Sequence, residues 1–178
     1  LGTGVGSGLI LDGRPYSGIQ GYAAEAGHIV VDPEGLPCSC GGRGCLETVA
    51  SAAGVTALAR RKLDIHPSSA LHRRDNPLTA EDIHKAALKG DPLSIDVLSE
   101  AGYYLGLACA SLINLLNLEM IVIGGGLSAA GELLLKSARA EAQKRAYPQA
   151  FSSCRISVAK LGNNAGMVGA ALRVMKRP

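Results

Sequence analysis

Apolar and polar positions change rhythm several times along the 178 residues. Residues 1–12 carry glycine at 2, 4, 6 and 8. A period of two on an extended strand puts all four on one face and leaves it as bare backbone. Asp12-Gly13 is a two-residue hairpin signal, so a second strand should follow through about Tyr16. Gly27–Asp32 reads as a third strand closed by Pro33, and residues 33–47 are turn-rich. A helix is expected over about Thr48–Leu63, followed by a surface loop from Asp64 to Pro77. The basic residues of that loop, with Arg73-Arg74 among them, read as a solvated connection before a ligand patch. Thr79 and Asp82 have the spacing of a capping box and open another helix. Asp91-Pro92 supplies a cap and a proline at the first helical position, from which a helix of ~40 Å can run to about Asn117. It is apolar on most sides near Leu105–Leu116 and should be buried. Met120–Ile123 is a continuous apolar run typical of a buried strand; it ends in Gly124-Gly125-Gly126, and a helix follows to about Arg145. Arg155–Ala159 reads as one more strand, and Asn164 as the cap of a last helix, Ala165–Met175. Three strands followed by alternating helix and strand predict an α/β layered domain with a mixed sheet.

Composition narrows this picture. Hydrophobic residues make up 47%, enough for a core, and no run approaches the 18 or more apolar residues of a membrane span. A net charge of +3 gives no support to nucleic-acid binding. Glycine is in excess at 23 residues, while aromatics number six (five Tyr, one Phe), which suggests backbone that must approach something closely. The chain opens on Leu1, without Met and inside a glycine-rich run, as a fragment would. Cysteines clustered rather than evenly dispersed, and no visible signal peptide, favour the cytoplasm.

Three constellations carry chemistry. His28, Cys38, Cys40 and Cys45 supply one imidazole and three thiolates, the donor set of a closed structural zinc site. Cys38 and Cys40 are too close in sequence for a relaxed mutual disulfide, and glycines at 41, 42 and 44 let the loop fold back. A redox-active or merely superficial cysteine cluster is the alternative. Metal at this site would draw Glu25 and Glu47 toward one locality although they are 22 positions apart. Two carboxylates and an imidazole edge suit the vicinal hydroxyls of a polyol or sugar. On spacing alone, Glu47 is equally an ordinary carboxylate at a helix start. Thr3-Gly4 within the glycine run can hold phosphate oxygens, and Gly124–Gly126 is a second place for backbone to approach a nucleotide. Glycine repeats like that around Thr3 recur in tight turns without any ligand, Gly124–Gly126 is equally a plain strand–helix turn, and the Thr3 segment is not a P-loop. Cys109, Cys154, Met120, Met167 and Met175 read as core fillers, and His66, His72 and His84 as surface groups.

Taken together, Gly2-Thr3-Gly4-Val5-Gly6, Glu25-x-Gly27-His28, Cys38-x-Cys40-Gly41-x-x-Gly44-Cys45-x-Glu47 and Ile123-Gly124-Gly125-Gly126-Leu127-Ser128 resemble the ROK family of repressors and sugar kinases, within it the glucokinase-like branch. The resemblance covers essentially the whole chain. It implies an actin-like ATPase (ribonuclease H-like) fold of two α/β lobes, of which residues 1–178 would be the larger, C-terminal one, with the N-terminal lobe absent. Glu25, His28 and Glu47 would contact sugar hydroxyls, and His28, Cys38, Cys40 and Cys45 would bind zinc. Thr3 and Gly4 would sit at a phosphate loop, and Gly124–Gly126 near the adenosine. The implied reaction is phosphoryl transfer from ATP·Mg²⁺ to a hexose or N-acetylhexosamine, most simply O6 of glucose. The implied assembly is a homodimer or tetramer. A family kinase also carries an Asp-x-Gly-Gly-Thr loop and an Asn-Asp pair whose Asp acts as base. Neither is in these residues, so the base is expected upstream of Leu1. The rivals are the sugar-binding effector domain of a ROK repressor and, more weakly, a zinc-stapled domain without a ligand.

Overall fold

The computed structural model describes residues 1–72 and 76–175, so the Arg73-Arg74 pair lies outside the described residues. The centre of the core is α4, Pro92–Leu116. Asp91 caps its start by accepting from the Ser94 N–H, and Asn117 ends it in the left-handed region at φ 49°. Val97, Leu98, Ala101 and Ile113 on this helix are fully buried. Of the stretch 105–116 expected to be buried, Leu105, Ala108, Cys109 and Ala110 lie in the core, whereas Leu115 is exposed because the end of the helix is covered on one side only. The companion helix α5, Glu132–Arg145, lies alongside and contributes Leu134, Leu135, Ala138 and Ala142. The two come close because α4 presents glycine to α5. A Cβ on Gly106 would stand 2.6 Å from the Ala138 carbonyl oxygen, and one on Gly102 would overlap that of Leu134.

On the other sides of α4 lie α1 (Glu47–Ala50), α2 (Ala52–Leu63) and α3 (Ala80–Leu88). The expected capping box of α3 is present, with Thr79 and Asp82 bonded reciprocally. One expected helix over 48–63 is two. Ser51 takes an extended conformation and accepts from the Gly54 N–H, capping α2 and breaking it from α1. The loop after α2 is less superficial than expected: Ser69 and Leu71 are buried, and the Asp91 carboxylate holds Ser69 Oγ and the Ala70 N–H.

Strands β1 (Leu9–Leu11) and β2 (Arg14–Tyr16) form the predicted hairpin, with Asp12 and Gly13 at φ 50° and 72° as a type I′ turn requires. β3 (Met120–Ile123) and β4 (Arg155–Val158) pair in parallel, Met120 opposite Arg155 and Ile123 opposite Val158. The class is α/β, realised among the described residues as two separate two-stranded sheets. Two expected strands are corrected. The glycine run is strand only from Leu9, because glycine favours extended pairing poorly and residues 1–8 bond elsewhere. Residues 27–32 are not a strand; Ala26–His28 is a 3₁₀ turn, and Val31 and Asp32 both donate to the Gly44 carbonyl as the chain wraps the cysteine loop. A short helix α6, Pro148–Ser153, precedes β4, and α7, Ala165–Met175, follows it. Cys109 and Cys154 are core residues as expected, whereas Met120 and Met167 stand exposed, on a strand and a helix that are uncovered on that side.

Candidate functional site

The local chain path explains how four ligand-type residues meet. Cys38 and Gly42 form a tight turn, with the Cys38 N–H donating to the Gly42 carbonyl and the Gly41 N–H to that of Cys38. Isolated bridges from Pro37 to Arg43 and from Val30 to Cys45 bring the turn back against the segment carrying His28. Gly44 makes the return possible: it sits at φ 69°, and a Cβ there would overlap the Asp32 carbonyl oxygen. The donor atoms of His28, Cys38, Cys40 and Cys45 lie within 4.8 Å of one another. Cys40 Sγ is 3.7 Å from Cys45 Sγ, and Cys38 Sγ is 3.6 Å from His28 Nδ1. A tetrahedral zinc shell with 2.3 Å sulfur bonds has edges of about 3.8 Å, so the cluster has the size as well as the chemistry for zinc.

Electrostatics agree with that fit. The Cys40 backbone amide, donating toward the Cys38 sulfur, draws the Cys38 thiol down to about 7, with Cys40, Cys45 and His28 assisting against burial. Burial, helped by the neighbouring Cys38 and Cys40, pushes the Cys45 thiol up to about 12. Three thiolates cannot share this pocket at neutral pH without a cation to offset their charge.

A second convergence lies around Val5, which is buried. Its N–H donates to Glu47 Oε2 at 2.9 Å. On another side, Gly27 packs so closely on Val5 that any Cβ would overlap the Val5 carbonyl oxygen. The turn bearing Glu25 and His28, and the first residue of α1, are thus drawn to one stretch of backbone. Glu25 is exposed, while His28 and Glu47 are half-buried. Ser7 completes the arrangement, and the sequence reading missed it. Its hydroxyl donates to the Ala24 carbonyl and accepts from the Ala26 N–H, bracing the turn from which Glu25 projects. Ala24 stands there at φ 67°, an uncommon conformation for a residue with a Cβ. The alternation itself gave no signal, since Ser7 lies at one of its non-glycine positions, between Gly6 and Gly8.

The glycine segment also reaches the second glycine cluster. Leu1 N donates to the Gly124 carbonyl at 2.6 Å, and the Leu127 N–H donates to the Leu1 carbonyl at 3.1 Å. Gly125, at φ 87°, admits this approach, since a Cβ would stand 2.5 Å from the Leu1 oxygen. Gly126 opens the 3₁₀ turn Gly126–Ala130 that leads toward α5. One residue on, the segment is tied to the start of α2, where the Ala52 N–H donates to the Gly2 carbonyl. Thr3 is exposed, and Gly4 leaves the room that the Glu47 carboxylate occupies. Among the described residues, no helix is long and apolar enough to cross a membrane.

The sequence model of the ROK family matches residues 1–177. A glucokinase of Halalkalibacterium halodurans is 44% identical over 173 residues, 95% of this chain and 52% of that protein. The DNA-binding transcriptional repressor Mlc of Escherichia coli is 36% identical over 168 residues, 94% of this chain and 41% of that protein. Among solved structures, a ROK family glucokinase from Streptomyces griseus, in complex with glucose and AMPPNP, superposes with a TM-score of 0.87 at 33% identity, over 97% of this chain and 58% of that one. The chain therefore spans about half the length of the curated relatives it matches.

Proposed function

The chain belongs to the ROK family, and from that premise we propose that it is the larger, C-terminal lobe of an ATP-dependent hexose kinase acting on glucose, in the cytoplasm. The observation that carries the reading is the path of residues 1–5, which lie against the Gly124–Leu127 turn at one end and the Glu47 carboxylate at the other. A kinase needs this juxtaposition, because phosphate must be delivered to a sugar held next door. The 44% identity to a glucokinase supports the same reading.

In this assignment Glu25, His28 and Glu47 bind the sugar hydroxyls. The Nδ1 atom of His28 faces the thiols. A metal held there leaves the proton on Nε2, so His28 presents a fixed donor to the sugar. Glu47 receives the Val5 N–H on one oxygen and is thereby aimed. Thr3 and Gly4 offer a hydroxyl and open backbone to phosphate, and Gly124–Gly126 form the turn beside the nucleotide base and ribose. Zinc, held by His28, Cys38, Cys40 and Cys45, would neutralise the thiolates and order the loop without touching phosphate. The proton acceptor for the attacking hydroxyl, and part of the Mg²⁺ and phosphate contacts, would come from the other lobe. A second reading, the effector domain of a sugar-responsive repressor, is favoured by the 36% identity to Mlc.

The test is a coupled assay on the full-length protein with glucose and MgATP, paired with calorimetry using glucose and AMPPNP. Glucose 6-phosphate formation with binding of both ligands is expected. Glucose binding with neither turnover nor nucleotide binding would replace the kinase with the repressor reading, and binding of neither ligand would defeat both.

A further inference from the structure

The cysteine cluster holds one sulfur pair whose setting differs from a sealed structural site. Cys40 is exposed, whereas Cys45 is 2% exposed and lies directly behind it, with the two sulfurs 3.7 Å apart. The flank of this pair is covered by Gly42 and by nothing on Gly42. A Cβ there would rest 3.4 Å from Cys40 Sγ and 3.9 Å from Cys45 Sγ, an ordinary van der Waals distance from both. The residue has no positive φ that would demand glycine. Geometry would therefore tolerate a methyl group here, and its absence leaves the exposed Cys40 sulfur open to a small solute, with the buried Cys45 sulfur in reach of it. Cys38, in contrast, is engaged with His28 Nδ1.

We propose that Cys40 and Cys45 are an oxidation site for hydrogen peroxide, at which a reversible disulfide forms and the metal is released. The inference rests on the zinc assignment above. In the first step the Cys40 thiolate attacks a peroxide oxygen; the O–O bond breaks, Cys40 becomes a sulfenic acid and hydroxide leaves. In the second, the Cys45 thiolate attacks the Cys40 sulfur; the S–S bond forms, the S–O bond breaks and a second hydroxide leaves. Two thiolates give up two electrons, and one peroxide becomes two hydroxides, which take up protons to form water. The metal loses two of its four ligands, and His28 loses its anchor. Four residues lie between the partners along the chain, Gly41, Gly42 and Gly44 among them, so the sulfurs can close from 3.7 Å to bonding distance by local motion.

The experiment uses the full-length protein, its zinc content measured first. Hydrogen peroxide is added, zinc release is followed with a chromogenic chelator, and disulfides are mapped by peptide mass before and after dithiothreitol. The expected result is release of one equivalent of zinc in step with a dithiothreitol-reversible Cys40–Cys45 linkage. Gly42→Ala, which keeps every ligand, should slow release by about fivefold by shielding the Cys40 sulfur. Release without that linkage, a linkage through Cys38, or no release at excess peroxide would overturn the proposal. So would an unchanged rate in a folded, zinc-loaded Gly42→Ala protein. Should that variant not fold, the wild-type disulfide map decides alone. Protein purified without zinc would refute the metal assignment, while the same map would still show whether Cys40 and Cys45 pair.

Discussion

Gly4 and Glu47 divide one small volume between them: the carboxylate occupies the space a Gly4 side chain would fill and accepts the Val5 N–H. An added methyl therefore meets the mobile end of a side chain and not the backbone. Gly4→Ala should displace the carboxylate at little cost to the fold. Expected are a melting temperature within a few degrees of wild type and a glucose dissociation constant raised about tenfold, equivalent to about 1.4 kcal/mol and near the lower end for one charged hydrogen bond. A large fall in melting temperature with unchanged affinity would show that Gly4 serves folding and leaves Glu47 unaffected. At this scale much was legible. The Cys38-x-Cys40-x4-Cys45 spacing with His28 announces its own convergence, since few other arrangements satisfy those donors. Ser7 was not legible, because its role depends on a turn at Ala24–Ala26 brought to it through space.

Among the elements, α4 carries the tests. Burial pushes the Asp91 carboxyl up, but bonds from Ser94 Oγ, the Ala70 and Ser94 N–H groups and Ser69 Oγ outweigh it and hold it below the usual value. A depressed folded pKa means stability that is complete above the unfolded value of about 3.9 and is lost as pH falls through the folded value. Acid unfolding monitored by circular dichroism should therefore show a limb below about pH 4 that flattens in Asp91→Asn. The same variant should lose about 1–2 kcal/mol at pH 7 in urea titrations, as it weakens both the α4 cap and the clamp on residues 69–70. Against α5, Gly106→Ala must push the helices apart, and a loss of about 2–3 kcal/mol is expected; a change below 0.5 kcal/mol would mean the helices slide freely. The caps and the Asp-Gly hairpin were readable because a few adjacent residues satisfy their own backbone. The strand expected at 27–32 failed for the converse reason. Its apolar run, Ile29–Val31, answers to the cysteine loop, and Val31 and Asp32 spend their N–H groups on Gly44.

Across the whole molecule, the helical core and the cysteine loop are held by different means. α4 and α5 bury a continuous apolar cluster, whereas the loop before Cys45 keeps most of its residues exposed or half-exposed. Chelation of zinc from the full-length protein should abolish glucose binding by calorimetry and leave most of the far-ultraviolet helical signal. Helix loss in parallel with zinc would show instead that the loop nucleates the core. The backbone of residues 1–5 has a further consequence. Under the proposed assignment it joins two ligand sites through its own backbone groups, which bond to the Gly124 turn, the start of α2 and the Glu47 carboxylate. A ligand that stiffens one end spares the other part of its ordering cost, so nucleotide and sugar become each other's effectors. By thermodynamic reciprocity, whatever factor AMPPNP contributes to glucose affinity, glucose must return to AMPPNP.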